Sequence, residues 1–309
     1  MKERPLIFVI GALCLATLLA YGGRWSWACE LLVNLRTHFA MLLGVALVVA
    51  IGLRHWRIAG VAFAGIALNV WPMVGMFEGK SPALTGGRAV RLVAFNVNVG
   101  NRDLAGIANY LDSLSPDVVV LEEVTTASVE RLIPSLPKLA HHFVAVEEGV
   151  RGVLILSRWP LDSPQFVTSG GAMYGARVDV DLGDRQFRLY GVHLNWPVVM
   201  PAERERNAQL VALGHELSGC QGACVAVGDF NVTPWSSHFR DVVKVPGVRD
   251  CAAGRGWLPT WNSGLPSILR IRIDQCLASG TMGIADVHVG ESVGSDHFAT
   301  INDLMVAGR

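Results

Sequence analysis

Four polar motifs, well separated along the chain, carry the residue types that metal-assisted phosphoester chemistry requires. They contain Asn96 and Asn98 in "RLVAFNVNVG", Glu123 in "PDVVVLEEV", Asp229 and Asn231 in "VAVGDFNVTP", and Asp296 and His297 in "GSDHFAT". Carboxylate and carboxamide oxygens are hard ligands that suit Mg²⁺, Mn²⁺ or Ca²⁺, and no Cys/His quartet that would favour zinc accompanies them. A histidine beside an aspartate supplies proton transfer or stabilises phosphate charge. The combination predicts metal-assisted phosphoester hydrolysis.

Apolar, β-rich runs position these motifs. Each motif ends such a run, and two further candidates, His193 in "LYGVHLNWP" and Asp274 in "RIRIDQCL", lie between them. Because successive strand side chains point to opposite faces, one of the adjacent Glu122 and Glu123 should face a site and the other should not. Asn98 has a competing interpretation, since asparagine often satisfies backbone groups at a strand end. One sheet rim could collect all these polar groups.

Strand-like and helix-like segments alternate after residue 88. Apolar runs predict strands around "AVRLVAFNVN", "DVVVLEEV", "RGVLILSR", "ARVDVDL", "RQFRLYGVHL", "CVAVGDFN", "RIDQCLAS" and "GIADVHVG". Helical spacing marks Leu104–Ser113, Ala127–Leu136 and the amphipathic Pro201–Leu217. Strands outnumber helices, and layering rules favour two sheets packed face to face with helices outside.

The motifs, in this order, resemble the endonuclease/exonuclease/phosphatase superfamily. The resemblance rests on "FNVN", "PDVVVLEEV", "GVHL", "GDFN", "RIDQ" and "SDHFAT", and it covers the chain from Arg88 to the C-terminus. It implies an α/β fold, a four-layer αββα sandwich with the active site at one end of the stacked sheets. It also implies Mg²⁺ as the cofactor, with Mn²⁺ as an alternative.

The resemblance also implies a role for each motif residue. Glu123 is then the principal metal ligand, Asn96 lies beside the metal, and Asp296 is a second acid on the metal side. Asn98 stands where several relatives carry Asp. The implied catalytic residues are Asp229, which positions or deprotonates the attacking water; Asn231, which binds a phosphate oxygen; His193, a general acid or phosphate binder; and His297, which acts on phosphate or water while Asp274 holds its other nitrogen.

The first eighty residues have a membrane-like composition. The whole chain is 51% hydrophobic and only 17% charged, and long apolar runs lie near residues 5–21, 38–53 and 58–76. A span needs about 20 apolar residues, so the second run is short unless Thr37 and His38 enter the interface. A secretory signal peptide would explain the first run alone. We predict three transmembrane helices, with residues 1–80 as a membrane anchor, 81–87 as a linker and 88–309 as the catalytic domain.

The basic residues around these runs predict an orientation. Lys2 and Arg4 precede the first run, and Arg54 and Arg57 separate the second from the third, so the positive-inside rule places the catalytic domain outside the cytoplasm. Other basic residues dilute this bias: Arg24, Arg36 and Lys80. The catalytic half contains an even set of cysteines, Cys220, Cys224, Cys251 and Cys276. Disulfides in an oxidising compartment and buried free thiols both fit them.

The charge of the chain after residue 88 and the predicted membrane anchor limit the classes of substrate that we expect. From Arg88 onward there are 19 basic and 23 acidic residues, whereas nucleic-acid binding normally rests on a basic face. We therefore predict a membrane-bound phosphoesterase that acts on a phosphorylated lipid or small phosphoester. A metal-dependent nuclease and a non-catalytic membrane scaffold are the alternatives. Four tryptophans near the motifs could be core packing or an apolar collar for a lipid: Trp196, Trp235, Trp257 and Trp261.

Overall fold

The computed structural model describes residues 4–79, 86–146 and 152–307. Two six-stranded mixed sheets dominate these residues. In spatial order, the first sheet contains β11 (Met282–Val289), β12 (Thr300–Val306), β1 (Arg88–Asn96), β2 (Val118–Val124), β4 (Gly152–Ser157) and β3 (His141–Ala145). The second contains β5 (Leu161–Ser169), β6 (Ala172–Asp181), β7 (Gln186–His193), β8 (Ala223–Asp229), β10 (Asp274–Gly280) and β9 (Arg249–Asp250).

Strand alternation explains how the two sheets share one core. In β1, Leu92 and Ala94 face the other sheet, whereas Val93 and Phe95 face outward into a second cluster. All four side chains are at most 2% exposed. A strand buried on both faces has to be apolar at every position, which is why these segments are continuous apolar runs.

Helices cover the outer face of each sheet. Against the first sheet pack α5 (Leu104–Ser113) and α6 (Thr126–Ser135), and against the second pack α7 (Met200–Ser218) and α8 (Ser237–Val243). The outward side chains of the sheets and the apolar stripes of these helices form the two outer clusters. The result is the predicted αββα layering, in which the strand ends of both sheets meet at one edge.

Four helices precede the sandwich: α1 (Arg4–Leu19), α2 (Trp27–Val33), α3 (Arg36–Gly52) and α4 (Trp56–Val70). Two helical segments, Arg4–Gly22 and Trp56–Met76, are long and apolar enough to cross a membrane. The pair α2 and α3, bent by 61°, reaches that length only together, so up to three spans are possible. The predicted second span, near residues 38–53, falls on α3, which does not reach that length alone, so three spans stay a prediction.

The N-terminal helices, which we predict to be a membrane anchor and call the anchor, pack directly on the sandwich, the predicted catalytic domain. Trp235 donates from Nε1 to the Val33 carbonyl at 2.7 Å, and Thr233 donates to Asn34 Oδ1 at 2.9 Å. Apolar residues of the two parts form one cluster around this contact: Ala20, Val33, Met73, Met76, Trp235, Ile271 and Ile273. The predicted linker, 81–87, falls mostly outside the described residues, and the boundaries 1–80 and 88–309 stay predictions.

The four cysteines of the catalytic half form two disulfides, Cys220–Cys224 and Cys251–Cys276. Of the two interpretations that the sequence allowed, the structure therefore has the paired one. The second disulfide joins β10 to the segment just after β9, at the edge of the second sheet.

Candidate active site

Three aligned strands of the second sheet bring three of the predicted residues side by side. In the strand register, Asp229 at the end of β8 lies opposite His193 at the end of β7 and Asp274 at the start of β10. Strand β10 runs antiparallel to β8, so its first residue meets the last residues of its neighbours. Asn96 ends β1 in the facing sheet, and the two sheets therefore contribute side chains to one edge.

A β-bulge sets the direction of Glu123. The pairing of β2 with β4 shifts between Glu122 and Val124, and Glu123 has a φ of 59°. Its Oε2 accepts a hydrogen bond from the Val99 amide at 3.0 Å, and its Oε1 lies 3.4 Å from Asn96 Nδ2. The bulge takes Glu123 out of simple strand alternation and turns it toward the site.

Glu122 is buried beneath the site. It is fully inaccessible, and neither of its carboxylate oxygens hydrogen-bonds to any described residue. Burial, together with the nearby charges of Asp274 and Asp229, raises the pKa of Glu122 well above its ordinary value. Burial therefore favours the protonated form of Glu122 more than it would for an exposed glutamate.

The two asparagines of the first motif connect the carboxylates. Asn96 Nδ2 donates to Asp229 Oδ2 at 3.2 Å, and its Oδ1 accepts from the Asn98 amide at 3.0 Å. Asn98 Nδ2 donates to Asp296 Oδ1 at 2.6 Å, and Trp261 Nε1 donates to the other oxygen of Asp296 at 3.0 Å. Burial would raise the pKa of Asp296, but the hydrogen bond from Asn98 leads the opposing effects, and the pKa is lowered. Asp296 is therefore an anion held in place.

Asp229 is the centre of the site. Its Oδ2 receives hydrogen bonds from Asn96 and, at 3.3 Å, from Asn231 Nδ2, while Nε2 of His193 and Nε2 of His297 each lie 3.7 Å away. Its Oδ1 accepts from the Asn231 amide at 2.8 Å. Burial raises the pKa of Asp229 and the charge of His297 opposes it, so that the pKa is about 7. A base with this pKa is matched to neutral pH.

His297 is oriented by Asp274. Its Nδ1 lies 3.0 and 3.1 Å from the two Asp274 carboxylate oxygens, and its backbone amide donates to Ser295 Oγ. Burial alone would lower the pKa of His297, but the carboxylates of Asp274 and then Asp229 raise it to about 10. At neutral pH, His297 is therefore an imidazolium that presents Nε2 toward Asp229.

This electrostatic coupling predicts an NMR titration. In the metal-free protein, His297 should lose its proton near pH 10, and Asp274→Asn should move the midpoint toward the ordinary histidine value of about 6.5, because the main charge that favours the imidazolium is removed. The measurement is the pH dependence of the His297 ring resonances. Those of exposed His215 on α7 serve as the internal control. An unchanged His297 midpoint would show that Asp274 does not act on it.

The charges of the site suit a cation. Within the described residues, the ionisable groups that act most on Asp229, Asp296 and Glu122 are carboxylates and His297, not lysine or arginine. Buried anions need compensation, and a hard divalent cation supplies it to oxygen ligands. Asp229, Asp274 and His297 present ligand atoms within 4.8 Å of one another and could hold an ion. The predicted ligands Glu123, Asn96 and Asp296 adjoin this group and offer a purely oxygen donor set.

A buried ion pair connects the N-terminal helix α2 to the turn that carries Asn231. Arg206 on α7 donates from Nη1 to the Asn231 carbonyl at 2.9 Å and from Nη2 to Glu30 Oε1 at 3.2 Å. Ser236 Oγ donates to the same Glu30 oxygen at 2.7 Å. Both charged side chains are at most 1% exposed. Glu30 belongs to α2, so the anchor helps to fix the turn that carries Asn231.

Sequence reasoning missed this pair, although α7 holds a signal for it. Arg206 lies seven residues before Leu213 and therefore on the same buried helix face. A charged residue on a core-facing stripe requires a buried partner, but the partner's position, 176 residues earlier in the anchor, cannot be deduced from spacing.

Replacing Glu30 should therefore impair both stability and turnover. Glu30→Gln leaves Arg206 buried without its counter-ion, and breaking such a pair costs about 3–5 kcal/mol. Because Arg206 holds the Asn231 carbonyl, we expect kcat to fall more than KM changes. Thermal unfolding and steady-state kinetics of the full chain test this. Arg204→Gln, at an exposed position on the same helix, should alter stability by about 0.5 kcal/mol or less. A kcat unaffected by Glu30→Gln would contradict the positioning role.

Comparison with known proteins identifies the architecture. A family described as "Endonuclease/Exonuclease/phosphatase family" matches residues 93–297. An endonuclease/exonuclease/phosphatase from Beutenbergia cavernae is 21% identical, with a TM-score of 0.59 over 72% of each chain. Truncated Caenorhabditis elegans TDP2 is 20% identical, with a TM-score of 0.56 over 71% of this chain and 98% of its own.

A third similar structure is the 3′ phosphatase NExo from Neisseria bound to a product DNA hairpin. It is 18% identical, with a TM-score of 0.55 over 69% of this chain and 98% of its own. At these identities the structures show the shared fold. No curated protein matches the sequence.

Proposed function

Because the chain belongs to the endonuclease/exonuclease/phosphatase family, we propose that it is a membrane-anchored, Mg²⁺-dependent phosphoesterase for a phosphorylated lipid. The observation that carries the proposal is the cluster around Asp229, built beside a docked anchor of membrane-like helices. The layout also resembles a family branch with three N-terminal spans, associated with glycopeptide resistance and undecaprenyl-pyrophosphate dephosphorylation. That resemblance favours a polyprenyl pyrophosphate as substrate.

In the proposed reaction, Asp229 takes a proton from the attacking water. The imidazolium of His297, oriented by Asp274, hydrogen-bonds a phosphoryl oxygen through Nε2 and stabilises the charge that grows there. Asn231 exchanges the longer of its two Nδ2 hydrogen bonds, the one to Asp229 at 3.3 Å, for a phosphoryl oxygen and keeps the one to the Leu194 carbonyl. His193 donates a proton to the leaving oxygen. Glu123, Asn96 and Asp296 would hold the divalent cation, which supplies Lewis-acid polarisation of the phosphoryl group.

A substrate screen tests this proposal. The detergent-solubilised full chain would be incubated with polyprenyl pyrophosphate, sphingomyelin, phosphoinositides and plasmid DNA, with and without Mg²⁺. We expect Mg²⁺-dependent release of phosphate or headgroup from a lipid. The structural similarity to TDP2 and to the DNA-bound Neisseria enzyme supports a nuclease as the second candidate, and faster cleavage of DNA at physiological salt would establish it.

We further propose that the catalytic domain lies outside the cytoplasm. The docked segments α2 and Met73–Met76 place the domain at one end of the anchor, opposite the turn at Arg54 and the N-terminus. The positive-inside rule assigns that opposite end to the cytoplasm, and the two disulfides fit an oxidising compartment.

This topology predicts the result of a reporter-fusion experiment. A reporter that matures only outside the cytoplasm, fused after Arg309, should be active in intact cells. A second reporter fused in the turn after Arg54 should be inactive and serves as the matched control. Activity of a strictly cytoplasmic reporter after Arg309 would reverse the proposed orientation.

A further inference from the structure

Exposed apolar side chains are concentrated in two segments of the catalytic domain, 196–200 and 265–269, which we call the rim loops. Within residues 86–146 and 152–307, ten large apolar side chains are exposed, and seven of them belong to the rim loops: Trp196, Val198, Val199, Met200, Leu265, Ile268 and Leu269. Trp196 and Ile268 are each 63% exposed. A cluster of exposed apolar side chains of this kind marks a surface that contacts a membrane or an apolar face of another protein.

Both rim loops adjoin the candidate active site. The first follows β7, three residues after His193, and the Leu194 carbonyl at its start accepts a hydrogen bond from Asn231 Nδ2 at 2.9 Å. The second leads into Asp274 by way of Arg270, whose guanidinium lies 4.3 Å from the ring centre of Phe298, the residue after His297. A molecule seated on the rim loops would have its end at the catalytic groups.

Both rim loops also touch the anchor, the first at the start of α2 and the second at the start of α3. Trp27, the first residue of α2, donates from Nε1 to the Pro197 carbonyl at 2.9 Å. Just past the other end, His38 Nε2 lies 2.9 Å from the Leu269 carbonyl, in hydrogen-bond contact. A seven-residue helix is about 10 Å long. Helix α2 therefore lies between the two contacts along the chain.

The contacts place the rim loops at the level where the anchor would enter a bilayer. His38 lies in the first turn of α3, and the apolar part of that helix starts with the next residue, Phe39. Trp25 and Trp71 are 82% and 76% exposed at the catalytic-domain ends of the neighbouring helices. Exposed tryptophans are typical of the membrane–water interface, where their amphipathic rings settle.

We propose that the rim loops insert into the outer part of the bilayer and receive a lipid whose phosphate enters the site while its hydrocarbon chain stays in the membrane. This inference rests on the proposed lipid phosphoesterase function and adds the route of the substrate. The anchor then not only keeps the catalytic domain at the membrane but also holds one face of that domain, the rim loops, against the lipid. The apolar side chains then contact hydrocarbon instead of water, which stabilises the docked state.

Depth-dependent quenching tests the insertion without relying on catalysis. In the full chain with the free cysteines removed by Cys14→Ser and Cys29→Ser, Trp196→Cys or Ile268→Cys would carry a bimane label. The protein would be reconstituted into phosphatidylcholine/phosphatidylglycerol vesicles with brominated acyl chains. Val211→Cys, an exposed apolar position on α7 away from the rim, is the matched control. We expect quenching at both rim positions to exceed the control several-fold; equal quenching would overturn the proposal and favour a protein partner for the rim.

A kinetic comparison tests the substrate route. Ile268→Asp should reduce kcat/KM for a vesicle-embedded lipid phosphate at least about tenfold more than for a water-soluble phosphoester, since a charge at the interface opposes insertion. Val211→Asp should affect the two substrates equally. Equal losses for Ile268→Asp would overturn the route. Quenching at the rim without cleavage of any lipid would instead retain the insertion and reject the lipid phosphoesterase function.

Discussion

Replacing Glu123 with Gln is expected to lower metal-dependent turnover by about two orders of magnitude or more while the protein stays folded. The substitution keeps the shape of the side chain but removes the negative charge that a divalent cation requires from its principal ligand. Metal-assisted polarisation is worth several kcal/mol in the transition state, and each 1.36 kcal/mol is a factor of ten in rate. Glutamine has nearly the same volume as glutamate, so the substitution leaves no cavity at Glu123, which is 12% exposed.

Two measurements test this prediction. Steady-state turnover at saturating Mg²⁺ gives the catalytic loss, and calorimetric titration with Mg²⁺ or Mn²⁺ gives the loss of metal affinity. Glu130→Gln, at an exposed position of α6, makes the same change of charge and should leave both values unaltered. Near-normal turnover in Glu123→Gln, or activity that survives a chelator, would contradict the metal hypothesis. Metal binding lost in Asp274→Asn but kept in Glu123→Gln would place the ion at Asp229, Asp274 and His297.

The convergence of the motif residues at one edge could be predicted from their order and types in the sequence, whereas their individual roles stay predictions. The apolar runs before Asn96, His193 and Asp229 fill both faces of buried strands, so the polar residue that ends each strand falls at the edge of its sheet. Since these strands end at one edge, polar residues distant in sequence converge. The helix Leu104–Ser113 is predicted with its observed bounds, because its spacing of apolar residues matches the face that packs on β1.

Other features depend on contacts that spacing does not encode. Simple alternation cannot place Glu123, because a bulge and a positive φ redirect it. Strand β12 was not predicted, although it pairs with β1 throughout, since Asn302 and Asp303 interrupt its apolar pattern. Asp303 forms an ion pair with Arg91, and Asn302 is buried between strands. Tertiary pairing, not local propensity, stabilises that strand.

The environments of the four tryptophans also depend on tertiary contacts that the sequence pattern does not predict. Trp235 is 1% exposed and stacks on Trp257 at 6.1 Å between ring centres, and Trp261 supports Asp296. These three rings therefore pack, whereas Trp196 points to solvent. In the sequence, all four tryptophans lie near the motifs. Only the tertiary contacts of the structure, including those with the docked anchor, distinguish the exposed Trp196 from the three packed rings.

The second large effect is expected in His297→Ala and Asp229→Asn, each of which should reduce hydrolysis by about 10³-fold or more. Proton transfer by a positioned group contributes about 10²–10⁴-fold, and Asp229 also organises Asn96, Asn231 and both histidines. Because these groups act mainly on the transition state, kcat should fall while binding of the lipid phosphate to the detergent-solubilised protein, measured by calorimetric titration, is retained. Asp274→Asn should cost about 10–100-fold, because Asp274 acts through the imidazole.

The ranking of these three variants separates the classes of function. If one site cleaves every substrate, the losses should run in parallel on each phosphoester that the wild type hydrolyses, and a control such as Asp112→Asn, exposed on α5, should have no effect. Losses confined to DNA would assign the cluster to a nuclease. A wild type that cleaves neither lipid nor DNA with any divalent metal would favour the scaffold. The arrangement of Asp274, His297 and Asp229 argues against that outcome: Asp274 lies 3.0 Å from His297 Nδ1, and His297 Nε2 lies 3.7 Å from Asp229. A scaffold gains nothing from burying a base of pKa about 7 beside an imidazolium.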